Sequence, residues 1–97
     1  MRIAVTGGDG FFGRATIAAA EQAGHEVWAF DRTVGLDILG RLNALDGADT
    51  VIHLAGVLGT SELFDMPETA IQVNVIGTLR VLEWCRRHRA RYVGVSM

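Results

Sequence analysis

The sequence of 97 residues predicts an α/β domain organised as a doubly wound parallel sheet. Short apolar runs rich in β-branched and aromatic residues alternate with longer segments in which apolar residues recur at helical spacing. Runs that are apolar at nearly every position are typical of strands covered on both faces, as in a parallel sheet. A glycine-rich segment directly follows the first run, which indicates a tight turn from a strand into a helix.

The four short apolar runs are the predicted strands, at residues 3–5, 27–30, 51–54 and 92–95. A first helix is expected over 11–23, because alanines supply a small face for close packing and Gly24 allows a left-handed helix end. A second helix is predicted before Gly47 from the helical spacing of four apolar residues, Ile38, Leu39, Leu42 and Leu45.

The longest helix is predicted to begin near Pro67, since proline lacks the N–H group that a first turn leaves unpaired, and to end near His88. Its expected buried face consists of Ile71, Val75, Thr78, Leu79 and Leu82. Right-handed crossovers between the four strands predict the strand order 3-2-1-4. Because such a sheet normally continues further, residues 1–97 are expected to be the N-terminal half-domain of a larger protein, truncated after strand 4.

Composition excludes several classes of function. A net charge of −2 offers no general attraction to nucleic acid or to an anionic membrane, and no apolar run approaches the ~20 residues of a membrane span. Cys85 is the single cysteine, so an internal disulfide is excluded, a metal site has no support, and a reducing cytoplasm is the expected location. All nine basic residues are arginines, so this chain cannot complete a mechanism that requires lysine.

The segment 6–13, TGGDGFFG, carries the strongest functional signal. Gly7 permits a sharp turn off the strand, Gly10 lets the main chain approach a pyrophosphate, and Gly13 lets the helix pack closely. The N–H groups of Phe11 and Phe12 would then point at the phosphates from the positive end of the helix. The segment predicts a Rossmann-type dinucleotide site, with a tight turn in some other α/β protein as the alternative.

The second predicted strand ends at Asp31, where such a fold places the acid that binds the ribose hydroxyls. A carboxylate there repels a 2′-phosphate, which favours NAD over NADP. Arg32 supports the alternative, because a guanidinium can hold a 2′-phosphate through two hydrogen bonds.

Five short motifs occur in order along the chain: TGxxGxxG at 6–13, Asp37-Ile38, VIHLAG at 51–56, NVIGT at 74–78 and VGVS at 93–96. Together they resemble the extended short-chain dehydrogenase/reductase family, specifically its NAD-dependent epimerase/dehydratase group acting on nucleotide sugars. The resemblance covers essentially the whole chain. It implies an NAD cofactor and a nucleotide-sugar-type small molecule as partner, no nucleic acid or membrane partner, and it leaves a homodimer open.

The resemblance also implies roles for individual residues. Asp37 and Ile38 would hold the adenine ring, with the carboxylate accepting a hydrogen bond from its exocyclic amine. The main chain at Leu54, Ala55 and Gly56 would pass along the cofactor. Asn74 would lie near the nicotinamide ribose, whereas without the resemblance it is a polar residue on a helix face.

The family's catalytic Tyr-x-x-x-Lys pair is missing from this chain. Tyr92 lies in a predicted strand and is not followed by lysine. Ser96 would border the family's serine cluster, but Met97 stands where many members carry a second serine. His53 is expected to be a hydrogen-bonded core residue and not a base, and Cys85 a packed residue and not a nucleophile.

Three functions follow from these observations. The first is the NAD-binding portion of an epimerase or dehydratase that transfers a hydride from a nucleotide sugar, with the 97 residues alone inactive. The second is a non-catalytic NAD(P)-binding sensor or scaffold. The third is an NADPH-dependent carbonyl reductase, which depends on Arg32.

Overall fold

The computed structural model describes residues 1–56 and 65–94. Its centre is a parallel sheet of four strands, β1 (Arg2–Thr6), β2 (Glu26–Phe30), β3 (Thr50–His53) and β4 (Arg91–Gly94). The neighbours run in the order β2-β1-β3-β4. The α/β class and the doubly wound parallel sheet are confirmed, and the predicted strand order 3-2-1-4 is wrong.

The order differs because β3 pairs with β1 and not with β2, which leaves β2 at the edge of the sheet. Ile3 lies opposite Val27 of β2 on one side and opposite Thr50 of β3 on the other. The last four residues of β1 are buried, as suits a central strand, whereas β2 is partly exposed along most of its length, as suits an edge. The chain therefore reverses its winding between β1 and β3, and open α/β sheets bind ligands at such a point.

Helix α1 (Phe11–Gln22) covers one face of β1 and β2. The predicted helix is confirmed, including its end, where Gly24 adopts a φ of +90°. The other face of the sheet is covered by the 31–49 connection and by the long helix described below.

The connection from β2 to β3 contains two short 3-10 turns, Arg32–Val34 and Asn43–Leu45, in place of the predicted helix. The apolar residues that suggested a helix instead pack individually on the sheet, since Ile38 and Leu45 are buried. Gly40 closes a tight turn with its N–H on the Asp37 carbonyl at 2.8 Å, and this turn interrupts helical continuity.

One continuous helical stretch at 67–88, called here the long helix, joins β3 to β4. It comprises α2 (Pro67–Ile71), a π-helical segment (Gln72–Gly77) and α3 (Thr78–His88). The predicted extent is confirmed. In the part of the chain that the structure describes, no helix is long and apolar enough to cross a membrane.

The predicted buried face of the long helix is wrong. Large apolar residues of that face are exposed, namely Ile71, Val75, Leu79 and Leu82. The buried positions are Ala70, Gly77, Val81, Trp84 and Cys85. The helix carries two apolar stripes, and the one that contains Gly77 faces inward, because the Ile38 side chain fills the space beside Gly77.

Candidate functional site

The turn from β1 into α1, residues 7–10, is called here the glycine loop. At the carboxyl edge of the sheet it contacts the ends of β2 and β3. Gly7 adopts a φ of +70°, which glycine tolerates without strain, and its N–H donates to the Phe30 carbonyl at 3.0 Å. A Cβ on Gly7 would lie 2.9 Å from the Ala55 nitrogen, just beyond β3. The loop therefore fits between the ends of β2 and β3 only because Gly7 has no side chain.

The first turn of α1 presents main-chain N–H groups beside this loop. Gly10 is the N-cap, and no side chain caps the helix. The first intrahelical bond runs from the Arg14 N–H to the Gly10 carbonyl at 2.9 Å. The three N–H groups that precede this bond belong to Phe11, Phe12 and Gly13. Such groups have no intrahelical acceptor and form an anion-binding helix end.

Gly13 is buried where α1 crosses the loop. A Cβ there would collide with the Gly7 carbonyl oxygen and would lie 2.6 Å from the Gly8 Cα. The close packing expected of Gly13 is present. Gly8, to which the sequence assigned no role, is equally confined, because its Cβ would lie 2.7 Å from the Ala29 side chain.

Asp31 directly follows β2 and lies against the glycine loop. Its Oδ2 accepts a hydrogen bond from the Asp9 N–H at 3.1 Å. Asp9 in turn pairs with Arg14 of α1, at 3.1 Å between Oδ1 and Nη2. The structure thus brings the predicted ribose-binding acid next to the predicted phosphate-binding loop.

Arg32 and Asp37 face each other across the turn that follows Asp31. The Arg32 Nε lies 4.0 Å from the Asp37 Oδ2, and the Arg32 side chain is largely exposed. The other carboxylate oxygen of Asp37 accepts the Leu39 N–H at 2.9 Å. Arg32 is therefore directed at a carboxylate of its own chain, with which a 2′-phosphate would have to compete.

The tight turn at residues 37–40, called here the Asp37 turn, is anchored in the core by the Ile38 side chain. This side chain is 4% exposed and belongs to the core, so its apolar atoms are not offered to a ligand. Arg80 of α3 anchors the same turn from the side: Nη1 donates to the Leu39 carbonyl and Nη2 to the Gly40 carbonyl. No local pattern marks Arg80, because these partners lie 41 and 40 positions away in the sequence.

The segment after β3 is fastened to the end of β1. The Thr6 Oγ1 accepts hydrogen bonds from the N–H groups of Leu54 and Ala55, at 3.1 and 3.2 Å. These two residues therefore lie beside the glycine loop. Gly56 follows them and is exposed.

His53 extends this contact into a buried chain of hydrogen bonds. Its Nδ1 lies 2.6 Å from the Thr6 Oγ1, and its Nε2 lies 3.1 Å from the Thr78 Oγ1. Because the Thr78 hydroxyl donates to the Asn74 carbonyl at 2.8 Å, its oxygen accepts from the His53 Nε2–H. The Nδ1 then accepts from the Thr6 hydroxyl. Burial lowers the pKa of His53, which favours this neutral form.

The expectation that His53 is a hydrogen-bonded core residue is confirmed. Its partner Thr6 was assigned no role from the sequence, and its partner Thr78 was assigned only to the buried face of the long helix. The signal was present, because both threonines belong to motifs quoted for the glycine loop and the long helix. Asn74 is partly buried within the π-helical segment, a local widening that is frequent at functional sites.

Two further predictions concern β4 and the residues after it. Tyr92 lies on β4 as predicted, and burial raises the pKa of its phenol above the ordinary value. Ser96 lies outside the described residues. Cys85 is buried at 3% exposure, which confirms that it is a packed residue.

Three features of the site fit a dinucleotide. Gly7, Gly8 and Gly13 leave no room for side chains, the first turn of α1 offers N–H groups, and Asp31 supplies a carboxylate beside them. All three lie at the carboxyl edge of the sheet, and the glycine loop and the first turn of α1 follow β1, beside the point where the winding of the sheet reverses.

Known proteins resemble this chain in sequence and in fold. The chain is 35% identical to a 2-alkyl-3-oxoalkanoate reductase of Stenotrophomonas maltophilia, over 91% of this chain and 30% of that protein. It is 29% identical to a dTDP-glucose 4,6-dehydratase of Mycobacterium tuberculosis, over 99% of this chain and 36% of that protein. The structure of the Thermus thermophilus UDP-glucose 4-epimerase in complex with NAD superimposes with a TM-score of 0.83 at 25% identity, over 93% of this chain and 35% of that one.

The chain thus spans about a third of the length of these proteins. A model of the NAD dependent epimerase/dehydratase family matches residues 3–96. This match includes the glycine loop, Asp31 and the His53 chain of hydrogen bonds, and NAD, the cofactor predicted from Asp31, is the cofactor of that family. The chain belongs to the NAD-dependent epimerase/dehydratase family.

Proposed function

We propose that these 97 residues are the N-terminal NAD-binding part of a longer epimerase or dehydratase that acts on a nucleotide sugar. The observation that carries the proposal is the meeting of the glycine loop, the first turn of α1 and the Asp31 carboxylate at the carboxyl edge of the sheet. Nucleotide-sugar enzymes among the similar proteins support the substrate class.

In this proposal the phosphates lie at the N–H groups of Phe11 and Phe12, where the helix dipole favours negative charge. Asp31 accepts hydrogen bonds from the ribose hydroxyls. Its carboxylate is already oriented toward the loop by the Asp9 N–H, so little ordering is needed on binding. The Asp37 turn meets the adenine ring, and Leu54 and Ala55 border the rest of the cofactor.

NAD, when bound, supplies the hydride acceptor for oxidation of a sugar carbon. This chain has no lysine, so the tyrosine and lysine that would move the hydroxyl proton must come from residues outside the 97. We therefore expect the isolated chain to bind cofactor without turnover.

A cytoplasmic location and a homodimer stay predictions. The exposed apolar stripe of the long helix supports the homodimer, and sedimentation velocity would measure the oligomeric state.

A carbonyl reductase is the second candidate, because the 2-alkyl-3-oxoalkanoate reductase of Stenotrophomonas maltophilia is 35% identical to this chain. Such an enzyme would use NADPH if Arg32 held the 2′-phosphate. Arg32 lies 4.0 Å from Asp37 with an exposed side chain, and such a surface ion pair is weak enough for a 2′-phosphate to displace it. The preference between NAD and NADP therefore separates the two candidates.

Calorimetric titration of the 97-residue chain with NAD and NADP tests the proposal. We expect tighter binding of NAD, and an Asp31→Ala variant that binds NAD about 5- to 150-fold more weakly. This range corresponds to the cost of about 1–3 kcal/mol for leaving hydrogen-bonding groups unpaired. The matched control is Glu21→Ala, which removes an exposed carboxylate of α1. No binding at millimolar NAD would overturn the proposal, equal affinity of Asp31→Ala would remove Asp31 from the site, and a preference for NADP would favour the reductase.

A further inference from the structure

The Asp37 turn is held at its outer side by an arginine that no motif marks. The turn is closed internally twice: the Gly40 N–H donates to the Asp37 carbonyl at 2.8 Å and the Leu39 N–H donates to the Asp37 Oδ1 at 2.9 Å. These bonds leave the carbonyl groups of Leu39 and Gly40 pointing away from the turn. The guanidinium of Arg80 donates to both of them.

The position of Arg80 on the long helix makes this contact rigid. Three residues earlier, Gly77 packs against the Ile38 side chain so closely that a Cβ would collide with the Ile38 Cδ1. The helix therefore holds the turn through its buried side chain and through two of its carbonyl oxygens. A planar guanidinium suits two neighbouring carbonyl groups, whereas a lysine ammonium is a single point charge.

The connection to which this turn belongs has little regular structure of its own. Between β2 and β3 it forms only two 3-10 turns, and the Trp28 indole N–H fastens its later part through the Ala44 carbonyl at 3.0 Å. At its beginning, the Leu36 N–H donates to the Asp31 carbonyl at 3.0 Å. The Arg80 contact is thus the outer support for the stretch between those two attachments.

We propose that Arg80 is a positioning residue for the adenine end of the cofactor site. By holding the Leu39 and Gly40 carbonyl groups, Arg80 keeps the Asp37 carboxylate where it can accept a hydrogen bond from the exocyclic amine of adenine. This inference rests on the proposed function, because it assumes that the cofactor lies with its adenine ring at the Asp37 turn. Arg80 itself does not touch the cofactor.

The test compares NAD with nicotinamide purine dinucleotide, an analogue in which a hydrogen atom replaces the exocyclic amine of adenine. We expect the wild-type chain to prefer NAD, because the Asp37 carboxylate can accept a hydrogen bond from the amine and finds no donor at that position of the analogue. Arg80→Ala should weaken NAD binding about tenfold and leave binding of the analogue nearly unchanged, so that the preference disappears. Arg80→Lys should restore part of the preference.

Arg87→Ala is the matched control, since Arg87 lies two turns along the same helix with a largely exposed side chain that pairs with Glu83. It should leave both affinities unchanged. Without ligand, hydrogen exchange of the Leu39 and Gly40 amides should be faster in Arg80→Ala, while the strand amides keep their protection.

The outcomes are separable. If the wild-type chain binds neither dinucleotide, the proposed function fails. If it binds both equally, or if Arg80→Ala lowers both affinities by the same factor, the cofactor site stands and the positioning role of Arg80 is overturned.

Discussion

The two helical connections of the sheet reach the same edge by different means. Where β1 turns into α1, main chain lies against main chain, and Gly7, Gly8 and Gly13 each leave no room for a Cβ. Where the long helix crosses β3, side chains make the contacts: His53 bonds to Thr78, and Arg80 bonds to the turn that follows β2.

This difference separates two ways of building a binding site. The glycine loop is shaped by the absence of side chains, so adding a single methyl group should disrupt it. The long helix is positioned by polar groups and by close packing, so its contacts can be removed one at a time. Substitutions in the two regions should therefore change the free energy of unfolding by different amounts and for different physical reasons.

The largest effect is expected from Gly13→Ala. The added Cβ collides with the Gly7 carbonyl oxygen, and because main-chain atoms cannot move aside cheaply, we expect a loss of about 3 kcal/mol or more in the free energy of unfolding. The matched control is Gly24→Ala, which has a φ of +90° but open space around it, and should lose about 1–2 kcal/mol from backbone strain alone. Urea denaturation measures both. Equal losses would mean that crowding does not shape the loop.

A smaller effect is expected within the long helix. Val81 is fully buried on its inward stripe, so Val81→Ala should lower the free energy of unfolding by about 2 kcal/mol through lost burial and a cavity. Leu79 is 57% exposed on the outer stripe, and Leu79→Ala should change that free energy by no more than about 0.5 kcal/mol. A larger loss at Leu79 than at Val81 would support the face predicted from the sequence.

The glycine loop and Asp31 could be predicted from the sequence because their determinants are local. A strand, a turn and a helix start follow one another within a few residues, and the positive φ of Gly7 and the contact of Gly13 with the Gly7 carbonyl oxygen both arise inside this short segment. The strand order could not be predicted in the same way. The alternation of strands and helices is compatible with β3 beside either β1 or β2, and the pairing depends on which strand becomes fully buried.

The inward face of the long helix was predicted wrongly, because the helical spacing of apolar residues does not show which of two apolar stripes is buried. The choice is made by Ile38, which lies far away in the sequence and leaves room only for Gly77 beside it. The contacts of Arg80 could not be predicted for the same reason, since its partners are 40 and 41 positions away in the sequence. Such contacts are visible only after the chain has folded.

The smallest expected effect concerns the protonation of His53, which links the two regions through Thr6 and Thr78. Burial lowers the pKa of His53 in the folded protein, whereas the unfolded chain keeps an ordinary value of about 6.5. The unfolded state therefore binds the proton more readily. The stability that depends on neutral His53 is complete above the ordinary pKa and is lost as the pH falls through the lowered one.

Protonation also conflicts with the hydrogen bonds around the ring. A protonated Nδ1 becomes a donor toward the Thr6 hydroxyl, whose oxygen already accepts the Leu54 and Ala55 N–H groups. The one titratable side chain described in ring contact with His53 is Tyr92, at 5.9 Å between centroids, and its raised pKa keeps it neutral here. Urea denaturation at pH 7, 6 and 5 should show that the free energy of unfolding falls more steeply with decreasing pH in the wild type than in His53→Gln. Because the other histidines are common to both proteins, the difference between the two slopes reports His53 alone. Equal slopes would mean that His53 joins the two regions without making that junction sensitive to acid.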